Sequence, residues 1–191
     1  MLSLAERPER LVIIGGGYIS LEFAFMYQQF GSQVTILDNS LMFLPREDRD
    51  IAEEMLRVLN SRQINVVQSI AINAFAEQGD GVVVQTNQGE FAADAVLVAI
   101  GRQPNTAALA LQNAGIATTE RGFIATDAQC RVLGKDHIWA MGDVAGSPMF
   151  TYISLDDYRI VRDQLLGNGT RSRDDRATFP TTTFTEPPLS H

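Results

Sequence analysis

The 191-residue sequence predicts an α/β fold: a parallel sheet flanked by helices, carrying a small antiparallel β-meander and followed by a partial second domain. Three observations carry this expectation. Leu11 to Ile14 is a short apolar run suited to a buried parallel strand; it meets Gly15, Gly16 and Gly17 at once, and an amphipathic helical stretch opens near Tyr18. A second apolar run, Val34 to Leu37, ends at Asp38, roughly twenty residues beyond the glycines. Three short runs then follow, separated by "EQGDG" and "NQG", which read as hairpin turns.

Strand, glycine turn, helix, strand and terminal acid form the Rossmann-like order of a nucleotide-binding domain. Gly15 lets the chain turn sharply. Gly17, lacking a side chain, lets a pyrophosphate approach the helix N-terminus, where free N–H groups and the helix dipole favour negative charge. Ser20 stands at the third glycine position and is still small. Asp38 falls where a carboxylate accepts the ribose hydroxyls and repels a 2′-phosphate, and Asn39 adds no positive charge. The pattern therefore favours NAD(H) over NADP(H). Arg46 and Arg49, at the start of the next helix, are expected to face solvent rather than fold back to the ribose.

The remaining elements follow in order. Gly31 is expected to cap the first helix; Pro45 and a group of acids precede a second over Ile51 to Leu59. Ile64 to Val67 is expected as a third parallel strand. Ala71 to Ala76, Val82 to Thr86 and Glu90 to Ala93 make the meander, and Asp94 to Ile100 reads as a buried strand rejoining the sheet and ending at Gly101. A boundary is expected close to Pro104. Beyond it come a short helical piece near Ala107 to Ala114, two or three strands, and another strand over Ile138 to Met141 ended by Gly142 and Asp143. A helix closed by Gly167 follows, then a polar tail from Asn168 with no evident core.

Composition narrows the chemistry. With 45% hydrophobic and 20% charged residues the chain has the make-up of an ordinary soluble protein. A formal net charge of −8 and the absence of a dense basic run argue against nucleic acid or an anionic membrane as partner. No apolar stretch has the length of a membrane span and the N-terminus lacks a signal-peptide core, so the cytoplasm is expected. Cys130 is the sole cysteine, which excludes an internal disulfide, and His137 and His191 suggest no metal site. Cys130 is expected to be a buried, inert thiol in the strand region before the Gly142–Asp143 pair.

Taken together, "GGGYISLEFA", "AIGRQPNT", "IWAMGDV" and "FTEPPLS", in this order, resemble the flavoprotein pyridine nucleotide-disulfide oxidoreductases. The wording "FLPREDRDIAEE" is most similar to the branch of reactive-chlorine resistance and mercuric reductases. The resemblance implies an NAD(P)-binding domain over residues 1–103, the second segment of an FAD-binding domain over 104–176, and the start of a dimerisation domain over 177–191. It also implies that the first half of the FAD domain, the redox cysteine pair and most of the dimerisation domain lie outside this chain, and that the complete enzyme is a homodimer.

By the same resemblance, the backbone of Gly15, Gly16, Gly17, Tyr18, Ile19 and Ser20 takes the NAD pyrophosphate, and Asp38 the adenosine ribose. Main chain near Ala71 touches adenine, and Gly101 lies near the nicotinamide. Tyr18 covers the nicotinamide pocket, and Glu22, one helical turn on, pairs with a lysine of the FAD domain. Asp143 binds an FAD ribityl hydroxyl, and Thr151 opens a helix under the flavin. No complete catalytic set and no metal site is implied here. The implied function is to bind NAD(H) in an enzyme that passes hydride from NADH via FAD to the cysteine pair. Two alternatives share these motifs: a fragment of an NADH oxidase or peroxidase with one redox cysteine, and a non-catalytic NADH-binding module.

Overall fold

A computed structural model describes residues 4–190. The chain divides into two compact units, one running to Gly101 and taking in the residues from Pro180, the other covering Arg102–Phe179.

The first unit follows the expected alternation: β1 (Arg10–Ile14), α1 (Tyr18–Gln29), β2 (Gln33–Leu37), α2 (Arg49–Ser61) and β3 (Asn65–Val67). The meander of β4 (Ile72–Gln78), β5 (Gly81–Thr86) and β6 (Gly89–Ala93) then leads to β7 (Ala95–Val98). The parallel sheet has the order β3-β2-β1-β7, and Ile13 stands beside Ile36 on one side and Leu97 on the other.

Because successive strand residues point to opposite faces, β1 serves two cores. Leu11 and Ile13 join Leu21, Ala24 and Phe25 of α1 and Ala52, Met55 and Leu59 of α2. Val12 and Ile14 pack instead with Ile70, Val84 and Ala93, so the meander covers the second face of the sheet. A strand buried on both faces needs a continuous apolar run, which is why the sequence there does not alternate.

Gly31 lies one residue beyond the Phe30 cap of α1, with φ of 91°. Its N–H donates to the Gln28 carbonyl and that of Ser32 to the Tyr27 carbonyl, both at 2.9 Å, so two terminal carbonyls of α1 are satisfied. The tail returns to this unit as a short pair, β8 (Thr182–Thr183) and β9 (Leu189–Ser190).

Several expectations fail. β7 is an edge strand of its sheet and is half-buried at best: Val98 is 57% exposed, and Ile100, 73% exposed, lies beyond the strand. Arg49 is exposed, as expected, but its guanidinium is not free. Its guanidinium donates to the carbonyls of Phe43, Leu44 and Glu47 at 3.1, 2.7 and 2.7 Å, holding the loop before α2.

In the second unit, the piece near Ala107 to Ala114 is two 3-10 turns, Ala107–Leu109 and Leu111–Ala114, broken where Ala110 is left-handed at φ of 48°. The strands expected between residues 115 and 141 are reduced to isolated bridges, Thr118 with Ile124, Thr126 with Val132 and Arg131 with Trp139. Cys130 is therefore in a turn, not a strand, with φ of 63°. Ile124, Val132 and Ala140 nevertheless form a small core, and α3 (Thr151–Leu166) ends at Gly167 as expected. The tail is also better anchored than its composition suggested: a 3-10 turn at Arg173–Asp175, capped by Ser172, sends Arg173 and Arg176 to the buried Asp157 of α3.

Among the described residues no helix is long and apolar enough to cross a membrane, and no cluster of His, Cys, Asp and Glu could hold a metal ion.

Candidate nucleotide site and flavin-side turn

Each glycine after β1 meets a different neighbour. Gly15 has φ of 103°, and a Cβ there would lie 2.7 Å from the Ala99 carbonyl oxygen, so only glycine lets the end of β1 pass the chain leaving β7. A Cβ on Gly16 would lie 2.6 Å from Oδ2 of Asp38. One on Gly17 would meet nothing within 4 Å. The turn is thus closed toward the sheet and toward Asp38, and open at the residue that precedes α1.

That opening faces an uncapped helix end. Gly17 is the N-cap of α1, no side chain bonds back to the first turn, and the first turn holds no acid. Exposed N–H groups at the positive end of a helix dipole suit a diphosphate. Ser20 is fully buried and its hydroxyl has no hydrogen-bond partner, whereas Ile19 is 44% exposed.

Asp38 is fixed from both backbone sides. Its N–H donates to the Val67 carbonyl at 2.8 Å, its carbonyl accepts from Ile70 N–H at 3.1 Å, and Oδ1 accepts from Ser40 N–H at 3.3 Å. It is 4% exposed, and a carboxylate so oriented keeps acceptor capacity for a vicinal diol.

The Tyr18 hydroxyl donates to Oε1 of Glu47 at 2.6 Å, a partner on the loop before α2 that sequence reasoning missed. Burial first, and then the Glu47 carboxylate, push the Tyr18 pKa up to about 12. Glu22 is not simply solvated: Oε1 accepts the Phe184 N–H at 3.0 Å, from the returning tail. Main-chain groups of Ala71 are engaged by Asn87, whose Oδ1 accepts the Ala71 N–H at 2.7 Å and whose N–H donates to the Ala71 carbonyl at 3.1 Å. A base at Ala71 would have to use the second lone pair of that carbonyl. Gly101 is exposed, with φ of 130°.

Asp143 and Thr151 belong to the second unit and form their own group. Asp143 sits in the 3-10 turn Gly142–Ala145, with its carboxylate 3.0 Å from Nη2 of Arg102. Its side chain is 43% exposed, so the carboxylate has room for a further hydroxyl donor. Thr151 opens α3 on the surface; the N-cap Phe150 supplies no side-chain bond, the first turn has no acid, and the rings of Phe150 and Tyr152 stack at 5.3 Å. A half-exposed carboxylate with spare acceptor capacity and an uncapped helix end fit a polyol chain and an electron-rich ring. Arg102 went unread as a partner although "GRQPN" contains it.

Cys130 is fully buried, and burial pushes its thiol pKa up despite the nearby Arg173. Burial and the raised pKa both disfavour the reactive thiolate.

The sequence profile of the pyridine nucleotide-disulphide oxidoreductase family matches residues 1–157. The chain is 50% identical over its whole length to the Escherichia coli protein described as "Probable pyridine nucleotide-disulfide oxidoreductase RclA", of which it covers 43%. It is 34% identical to the dihydrolipoyl dehydrogenase of Geobacillus stearothermophilus, matching 97% of this chain and 40% of that one. The solved structure of the HOCl-induced flavoprotein disulfide reductase RclA from Escherichia coli superposes with a TM-score of 0.95 and 50% identity, over 99% of this chain and 43% of that one. The chain thus spans well under half the length of these relatives. With the family profile covering more than half of its residues, this chain belongs to the pyridine nucleotide-disulphide oxidoreductases.

Proposed function

We propose that this chain is the NAD(H)-binding portion of an FAD-dependent pyridine nucleotide-disulfide oxidoreductase. Residues 1–103 act as the NAD-binding domain, 104–176 as the second segment of the FAD domain, and 177–191 as the start of the dimerisation domain. The rest of the FAD site, the redox cysteine pair and the remaining dimerisation domain are assigned to sequence outside this chain, and the complete enzyme to a homodimer.

The observation that carries the reading is the Asp38 carboxylate lying against Gly16, beside the uncapped end of α1. N–H groups of the glycine turn and the first turn of α1 hold the pyrophosphate, and Asp38 accepts the two ribose hydroxyls. A 2′-phosphate would bring its charge against that carboxylate, so NADH is preferred over NADPH. Tyr18 shields the nicotinamide end from water, Glu22 orients the carboxamide, and Gly101 leaves the strand end open to the ring. Asp143 accepts a ribityl hydroxyl, and Thr151 with the N-terminus of α3 faces the flavin. Bound FAD would supply the two-electron relay from NADH to a disulfide.

The test is titration of the purified protein with NADH and with NADPH, followed by calorimetry. NADH is expected to bind at least about tenfold more tightly, a difference of roughly 1.4 kcal/mol. Tighter binding of NADPH overturns the assignment.

A further inference from the structure

We propose that Asp157 is a positioning residue for Asp143, clamping both ends of the turn that presents the Asp143 carboxylate; this rests on the reading above that Asp143 meets the flavin ribityl chain.

On α3, Ile153 and Ile160 form a buried stripe, and Asp157 occupies the position between them. It is 0% exposed. An ionised carboxylate taken wholly out of water is strongly disfavoured unless its oxygens are satisfied. Here four donors meet it: Gly142 N–H at 2.8 Å, Ser147 Oγ at 2.6 Å, Arg176 Nη2 at 2.5 Å and Arg173 Nη2 at 3.4 Å.

Two of these donors frame the turn. Gly142 immediately precedes Asp143, and Ser147 follows Gly146, which closes the turn through its bond to the Asp143 carbonyl. Both bonds converge on Oδ2. Gly142 has φ of 69°, and a Cβ there would lie 2.6 Å from Oγ of Ser154, so the turn rests directly on α3. The short Asp157 side chain bridges this narrow gap.

The two arginines have a different task. Arg176 also binds Asp156, and Arg173 also reaches Thr126, so both guanidiniums are held independently of Asp157. Their charges and the hydrogen bonds from Ser147 and Gly142 outweigh burial, which alone would push the Asp157 pKa up, and hold it below the usual carboxylate range. A buried ion pair adds little net stability over apolar packing of the same shape. What a carboxylate adds here is direction: it fixes two donors flanking Asp143, as hydrocarbon could not.

The test uses the full-length flavoprotein, with FAD affinity read from flavin fluorescence on reconstituting the apoprotein and apoprotein melting read alongside. Asp157→Asn keeps the shape and removes the charge. It is expected to weaken FAD about tenfold, whereas Ile160→Val is expected to lower the melting temperature and leave FAD affinity unchanged. Since Asp157 acts through Asp143, the double variant with Asp143→Asn is expected to lose little beyond the larger single loss. Additive losses, or FAD affinity within about twofold of wild type in Asp157→Asn while Asp143→Asn weakens it, overturn the positioning role and leave the flavin reading intact. No effect of Asp143→Asn overturns both. If Asp157→Asn does not fold, Ser147→Ala removes one donor and keeps the ion pairs; about threefold weaker FAD is expected, and unchanged affinity overturns the proposal.

Discussion

The carboxylate of Asp38 lies so close to Gly16 that a Cβ on the glycine would stand 2.6 Å from Oδ2. The acid proposed to read the ribose is thus packed on the turn proposed to cradle the pyrophosphate. With its main chain tied to Val67 and Ile70, Asp38 has little freedom to yield.

Gly16→Ala is therefore expected to push the carboxylate out of place and raise the Kd for NADH by about tenfold or more. Gly17→Ala is a counterpart with open space around its Cβ and φ of −83°, so it should cost at most about 1 kcal/mol of stability while its methyl projects toward the ligand. Calorimetric titration beside thermal melting separates the two. Equal NADH affinity in Gly16→Ala and wild type would contradict the coupling of turn and acid.

Asp38 should set cofactor choice through charge. Asp38→Asn keeps the packing against Gly16 and removes the repulsion of a 2′-phosphate, so the NADH-to-NADPH affinity ratio is expected to fall about tenfold, chiefly through tighter NADPH. An unchanged ratio would place discrimination elsewhere.

Tyr18 should titrate late for a phenol. Its pKa is raised from 10 to about 12, so the folded state holds the proton more tightly than the unfolded chain. The contribution to stability is full below pH 10 and is lost as pH rises from 10 through about 12. Ultraviolet titration should assign a phenol near pH 12 that vanishes in Tyr18→Phe and moves down in Glu47→Gln, without returning fully to 10 because burial is the larger cause. Removing the hydrogen bond should cost about 1 kcal/mol at neutral pH. A Tyr18 that titrates at 10 would mean that the Glu47 contact does not persist in solution.

How far the sequence discloses this arrangement depends on the range of the interaction. β1, α1 and β2 are legible because Leu11 to Ile14 must be apolar on both faces and Gly15 must turn; each requirement is local. The strands expected from residue 115 to 141 are not, because Ile124, Val132 and Ala140 bury themselves in a small core through turns and single bridges, without extended ladders. Burial there shows as apolar residues, while backbone pairing leaves no separate mark. The Asp38 position follows from spacing, but its contact with Gly16 does not. Asp157 went unread although it puts a charge on the stripe of Ile153 and Ile160, and its partners Arg173 and Arg176 lie in a polar tail that no local pattern ties to α3.

Cys130 offers the last prediction. It is the sole cysteine of the chain, fully buried, and its thiol is shifted away from the reactive thiolate form. Native protein should give almost no reaction with a disulfide reagent such as dithionitrobenzoate at pH 7, and one equivalent on unfolding in guanidinium. Cys130→Ser should leave NADH affinity unchanged and cost at most about 1 kcal/mol of stability, since the buried group lies beside Arg173 and a hydroxyl there keeps a hydrogen-bond donor within reach. Because transfer of an electron pair to a disulfide in this family reading needs a second thiol, the 191-residue chain alone should consume no NADH with that reagent. NADH-dependent turnover by this chain, abolished in Cys130→Ser, would instead make Cys130 the reactive group and reverse its assignment as a core residue.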